Sequence, residues 1–237
     1  MNAAGGDRLR RGWLGLGTEL LFVTMDRLDD AALDQPTGLP GWTRRHVLAH
    51  LASNAEALRR LAGWARTGQP NPMYASPEQR AADIAQGATL SPQRLRDRVR
   101  TSAHRLAADL AELPDPAWQA RVITAQGRTV PASEIPWMRT REVAVHAVDL
   151  AGGTEFADLP ADLLAALIAD VTARRSSLGD GPKLHLRTTD DEQVWRVDGH
   201  GEPVTVSAPL DVLARWLTGR ADQPPPGAPA PALPAWL

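Results

Sequence analysis

The 237-residue sequence predicts an α+β chain: an N-terminal four-helix bundle followed by a small α/β domain. Three observations carry this. Long stretches before residue 151 repeat apolar residues at helical spacing. A long, ordered connection follows the second of them, as a bundle with a crossover requires. Beyond residue 180 the period falls to two. The short runs Leu184–Thr188 and Gln193–Val197 flank the polar turn Thr189-Asp190-Asp191-Glu192, which is the pattern of a β-hairpin.

In chain order, Leu9, Leu16, Leu20 and Val23 recur at helical spacing between Arg8 and Leu28, with Leu14, Leu21 and Leu28 widening the apolar face. Asp29 to Gly41 reads as a loop punctuated by Pro36, Gly38 and Pro40. Thr43 is a suitable N-cap for the second helix, whose buried face is Val47, Leu48, Leu51, Ala55, Leu58, Leu61 and Ala62, and Gly68 and Pro70 end it. Ser76-Pro77 and Ser91-Pro92 each place a capping serine before a proline at the first helical position. They start a short helix to about Gln86 and a long one to Leu113 lined by Leu95, Val99, Ala103, Leu106 and Leu110. Pro114 and Pro116 stop the latter. Trp118 to Pro131 reads as irregular, with one strand-like run at Arg121–Thr124. The fourth long helix becomes regular near Ile135, and Ile135, Met138, Val143, Ala147 and Leu150 face the core.

The expected domains are residues 1–153, the bundle; 154–222, the α/β domain; and 223–237, a Pro/Ala-rich tail without regular structure, whose Trp236 and Leu237 can pack back on the body. The α/β domain holds a helix over Pro160–Arg175, the hairpin, a third strand at Glu202–Val206 and a helix over Pro209–Leu217.

Composition narrows the function. Net charge is −2 and basic residues are interspersed with acidic ones, so no nucleic-acid footprint is present. No stretch approaches the apolar length of a membrane span, and Trp13–Met25 reads as a mature helix, not a leader. A cytoplasmic protein is expected. The chain has no cysteine, hence no thiolate ligand or thiol nucleophile of its own. Phosphate-loop, dinucleotide and Gly-x-Ser-x-Gly motifs are absent.

The chemistry concentrates in three side chains. Glu142 and His146, four residues apart, emerge on one helix face. His50 sits among apolar residues of the second helix, and bundles build metal sites from facing helices. Two imidazoles and a carboxylate form a zinc set with a fourth position left for catalysis. The other reading of Glu142 and His146 is a plain surface pair. His46, one turn before His50, competes for its role. Asp149 can orient His146 or close a helix-end salt bridge. Arg139 and Arg141 read as ion-pair residues or as anion binders.

Two elements carry a family resemblance: Gly41-Trp42-Thr43-Arg44-Arg45-His46-Val47-Leu48-Ala49-His50, and Trp137 to Leu150 with Glu142 and His146. They resemble the DinB-like metal-binding helical bundles. The stretches Trp64–Gly68, Pro72–Arg80 and Thr124–Glu134 are similar to the mycothiol-dependent maleylpyruvate isomerases within that superfamily. The resemblance implies metal ligation by His50, Glu142 and His146, with Arg80 and Arg220 binding substrate carboxylates. It implies cis–trans isomerisation of maleylpyruvate to fumarylpyruvate, in the gentisate branch of aromatic breakdown. A metal-activated mycothiol thiolate would add reversibly to the double bond. The partners implied are mycothiol and a small anionic substrate, and the chain is expected to act as a monomer. Alternatives on the same scaffold are a mycothiol S-transferase acting on another electrophile, or a non-catalytic thiol- or metal-binding protein.

Overall fold

The computed structural model describes residues 3–221, 223–225, 232–234 and 236, with side chains from Arg10 onward. The chain divides into two compact units, Met1–Thr154 and Glu155–Leu237.

The first unit is built on α1 (Ala3–Asp26), α2 (Arg44–Thr67), α4 (Pro92–Ala111) and α5 (Ile135–Asp149), with α3 (Pro77–Ala88) in the connection between α2 and α4. The central helix is α2, which packs against α3, α4 and α5, while α1 lies along α5. Every residue of α2 from Val47 to Ala55 is buried, so polar groups in that run must find partners inside the protein.

Terminators act where the sequence puts them. Gly68 ends α2 in the left-handed conformation at φ 73°, and the Ser76 hydroxyl caps α3 by accepting from Gln79 N. The faces expected for α2 and α4 are the buried ones.

The α1 stripe differs from expectation. Leu21 and Leu28 of the expected face are buried, together with Met25, but Leu16 and Val23 are each 41% exposed. Leu9 lies outside the described side chains. The true seam includes Gly17, where a Cβ would stand 2.9 Å from Val143 Cγ2. A close helix crossing is marked by a missing side chain, which a search for apolar repeats overlooks.

The stretch after α4 is also more regular than expected. β1 (Arg121–Ile123) pairs antiparallel with β2 (Thr129–Pro131), Val122 opposite Val130, around a turn in which Gly127 takes φ 75°. Three-residue strands are too short to show alternation, so the second strand left no pattern.

The second unit has α6 (Ala161–Leu178), β3 (Pro182–Thr188), β4 (Val194–Val197), β5 (His200–Ala208) and α7 (Leu210–Leu217). β3 is central, antiparallel to β4 and parallel to β5. Its core joins Leu184, Leu186 and Val206 to Leu163, Leu167 and Ile168 of α6 and Leu213 and Leu217 of α7, all buried. Trp236 of the tail is buried, and Arg174 and Arg175 donate to the Trp236 and Pro234 carbonyls. Leu237 lies outside the described residues. Among the described residues no helix is long and apolar enough to cross a membrane.

Candidate metal centre

α2 carries His50 inward beside α5, which offers Glu142 and, one turn on, His146. His50 Nε2 lies 2.7 Å from Glu142 Oε2, and His146 Nε2 lies 3.4 Å from the same oxygen. The two imidazole rings meet edge to face, their centroids 4.9 Å apart, and Trp42 stands 5.5 Å from the His50 ring. One ligand atom from each of the three residues falls within a 4.8 Å span.

The remaining ring nitrogens differ. His146 Nδ1 lies 2.7 Å from Asp149 Oδ2, an arrangement that fixes the ring orientation and turns Nε2 toward Glu142. His50 Nδ1 lies 3.3 Å from Arg80 Nη2. A guanidinium only donates, so His50 Nδ1 accepts and its Nε2–H points to Glu142. The Arg80 guanidinium carbon also lies 5.7 Å from the Tyr74 ring centre, a cation–π distance.

The electrostatics follow from burial and these contacts. Burial pushes the His50 pKa down, further than the neighbouring Glu142 charge raises it. Burial opposes protonation of His146 as well, but hydrogen bonding to Asp149 and Glu142 outweighs it and the pKa rises. Burial would lift the Glu142 carboxyl, yet the His50 charge and the hydrogen bonds from both imidazoles hold it well below the usual carboxylate range. The centre thus contains an ionised carboxylate between two imidazoles, one of them inclined to hold a proton.

This donor set fits a divalent ion. Tetrahedral ligands bound at about 2.0–2.1 Å stand roughly 3.3 Å apart; the 3.4 Å between His146 and Glu142 matches this, while the 2.7 Å between His50 and Glu142 is a hydrogen-bond separation. His146 has the carboxylate support typical of a ligand imidazole. His46, the competitor for the role of His50, is occupied elsewhere. Its Nδ1 accepts from Thr43 N at 3.2 Å and meets Thr43 Oγ1 at 2.9 Å, closing a capping box at the start of α2.

The model of the mycothiol maleylpyruvate isomerase N-terminal domain matches residues 15–151. A crystal structure of a mycothiol-dependent maleylpyruvate isomerase is 38% identical, with TM-score 0.93, and the match covers both chains completely. The chain belongs to the mycothiol maleylpyruvate isomerase family. A histidine-to-alanine mutant of a mycothiol-dependent maleylpyruvate isomerase matches equally, at 38% identity over both full chains with TM-score 0.92. YfiT from Bacillus subtilis shares the bundle fold, at 18% identity and TM-score 0.51, over 64% of this chain and 89% of its own. Curated protein sequences give no significant match.

For this member of the maleylpyruvate isomerase family, the other expected site residues fall as follows. Arg80 lies in the first turn of α3, against His50. Arg220 is in the second unit, just past α7. Its backbone N–H donates to Arg215 O, its Nη1 donates to Thr218 O at 2.6 Å, and its guanidinium stands 5.9 Å from the Trp236 ring. Two neighbours of the centre were not singled out by sequence reasoning. Tyr74 backs Arg80, and Asn54 lies one turn after His50. The signal for Asn54 was its i,i+4 spacing from His50 on a helix with no exposed residue in that run.

Proposed function

We propose that the protein converts maleylpyruvate to fumarylpyruvate, with zinc held by His50, Glu142 and His146 and with mycothiol as the thiol. The carrying observation is the paired-imidazole and carboxylate cluster in a chain alike from end to end to a mycothiol-dependent maleylpyruvate isomerase. Zinc suits two imidazoles, a carboxylate and an incoming sulfur better than the oxygen-seeking divalent ions do. In this reading the enzyme works in the cytoplasm, as a monomer, on a small anionic substrate.

The chemistry supplied by the bound groups is a thiol deprotonated at neutral pH and its reversible addition across the conjugated double bond, leaving a single bond free to turn. The chain's own residues do the rest. Asp149 holds His146 in the ligating tautomer. Arg80, already buttressed by Tyr74, binds one substrate carboxylate and offsets charge that spreads onto the neighbouring carbonyl as the double bond is lost. Arg220 takes the second carboxylate, an assignment supported by the resemblance. Trp42 and the buried wall of α2 keep water from the reacting carbon.

The test is an assay of the zinc-loaded protein with maleylpyruvate, with and without catalytic mycothiol. Turnover that requires the thiol without consuming it is the expected result. Loss of free thiol in step with substrate would replace the isomerase with an S-transferase. No reaction in protein of confirmed metal content would refute maleylpyruvate as substrate.

A further inference from the structure

The largest fully buried side chain of the described residues is a charged one, Arg139, 1% exposed. It lies three residues before Glu142 and seven before His146, on the same face of α5. Its Nη1 donates to Leu51 O at 2.8 Å and to Asn54 Oδ1 at 2.8 Å. Both acceptors belong to α2, and Asn54 is one turn beyond His50. The two helices that carry the metal-binding cluster are therefore joined by directional bonds about one turn, roughly 5.4 Å, from the cluster itself.

Stability does not account for this arginine. Burial pulls its pKa down to about 10, so it keeps its charge at neutral pH in an apolar setting. Its Nη2 is buried and makes no hydrogen bond. Replacing a buried charge of this kind with a well-packed apolar side chain is often neutral or stabilising. The nearby core residues Leu51, Val143 and Ala147 supply contacts that are non-directional, and they fix the axial register of α5 on α2 only loosely. A slide of α5 along α2 would distort both 2.8 Å bonds and shift Glu142 relative to His50, where a metal centre tolerates only about 0.2 Å.

We propose that Arg139 is a positioning residue. With Asn54 and the Leu51 carbonyl it clamps α5 to α2 in the register that assembles His50, Glu142 and His146 for the metal. The proposal rests on the metal reading above, and it does not depend on the substrate.

The experiment compares full-length wild type with Arg139→Met, Arg139→Lys and Asn54→Leu. It measures zinc affinity by competition with a chromophoric chelator, and the urea midpoint of the metal-free protein. Arg139→Met should keep or raise the midpoint and weaken zinc binding 10- to 100-fold, the range found when groups behind metal ligands are removed. Arg139→Lys should not recover the affinity, because the lysine chain is one bond shorter and its ammonium stops short of the Nη1 position that meets both acceptors. Asn54→Leu should weaken binding in the same direction, and in the Arg139→Met background it should add little. Full affinity in folded Arg139→Met overturns the clamp. So does full recovery in Arg139→Lys, which would make the residue a counter-charge for Glu142. If Arg139→Met does not fold, unchanged affinity in Asn54→Leu overturns it. Wild type that binds no zinc would instead defeat the metal reading itself.

Discussion

His146 Nδ1 and Asp149 Oδ2 are 2.7 Å apart, three residues apart on the last turn of α5. Asp149 is itself 8% exposed, so little water competes for the imidazole proton. Once the ring is neutral, the contact keeps the remaining proton on Nδ1 and leaves Nε2, which faces Glu142, free to ligate. Asp149→Ala should lower zinc affinity 10- to 100-fold, with Asp149→Asn falling between, since an amide oxygen can still accept. A chelator competition titration measures this. Affinity within twofold of wild type in Asp149→Ala would remove Asp149 from the centre.

Proton release on metal binding follows from opposite shifts in the two imidazoles. A ligand imidazole must be neutral. Burial holds His50 below the ordinary imidazole range, so it gives up its proton before His146 does as pH rises. Burial acts the same way on His146, but its hydrogen bonds to Asp149 and Glu142 prevail and hold its proton above that range. Glu142 is ionised throughout. Zinc binding at a pH between the lowered His50 and raised His146 values should therefore release about one proton, and affinity should begin to fall as pH drops below the raised His146 value. Calorimetry in buffers of differing ionisation enthalpy counts the protons. A count near two would mean that His50 is protonated as well.

Arg80 is held on two sides, by His50 Nδ1 at 3.3 Å and by the Tyr74 ring. The Tyr74 segment is itself pinned, because Arg60 donates to Met73 O through Nε at 2.9 Å. Arg80→Met should raise KM for maleylpyruvate by at least about tenfold, the loss of one charge-assisted hydrogen bond, and should leave zinc content at the wild-type level. Tyr74→Phe keeps the ring under the guanidinium and should cost less than Tyr74→Ala. Steady-state kinetics with metal analysis separate the effects. Equal KM in Arg80→Met and wild type would take Arg80 out of the substrate site.

The parts legible in the sequence were those marked by a period or a spacing. The buried face of α2 was readable because Val47, Leu51, Ala55 and Leu58 repeat every three to four residues. The closeness of Glu142 to His146 follows from four-residue spacing, and the place of Gly68 from the need to stop a helix. Contacts with no local mark were not readable. Nothing in the order of residues says that Arg139 reaches Leu51 O, since both arginines flanking Glu142 look alike in sequence. His46 and His50 are both one turn from each other and from apolar neighbours, and only the fold shows that His46 turns back to cap α2 at Thr43. The α1 seam is legible only in part for a related reason: Leu21 and Leu28 lie on the expected face and are buried, but Leu16 and Val23 fit a helical repeat equally well, and the deciding residue, Gly17, has no side chain to count.

That glycine gives a prediction with an internal control. A Cβ at Gly17 would stand 2.9 Å from Val143 Cγ2, a stiff β-branched side chain in the core. Gly15, on the same helix, has nothing within 4 Å of its Cβ position. Gly15→Ala should therefore show the ordinary helical gain of about 0.5–1 kcal/mol. Gly17→Ala receives the same gain, but it forces α1 from α5 or displaces Val143, which costs roughly 1–3 kcal/mol. Its net effect should be a loss of about 1 kcal/mol, and Gly17→Val should lose more. Val143 adjoins Glu142, so a shift of α5 at that point should also weaken zinc binding, while Gly15→Ala leaves it unchanged. Urea midpoints and chelator competition on the two alanine variants check both effects together. Stabilisation of the same size at the two positions would show that α1 and α5 do not meet at Gly17.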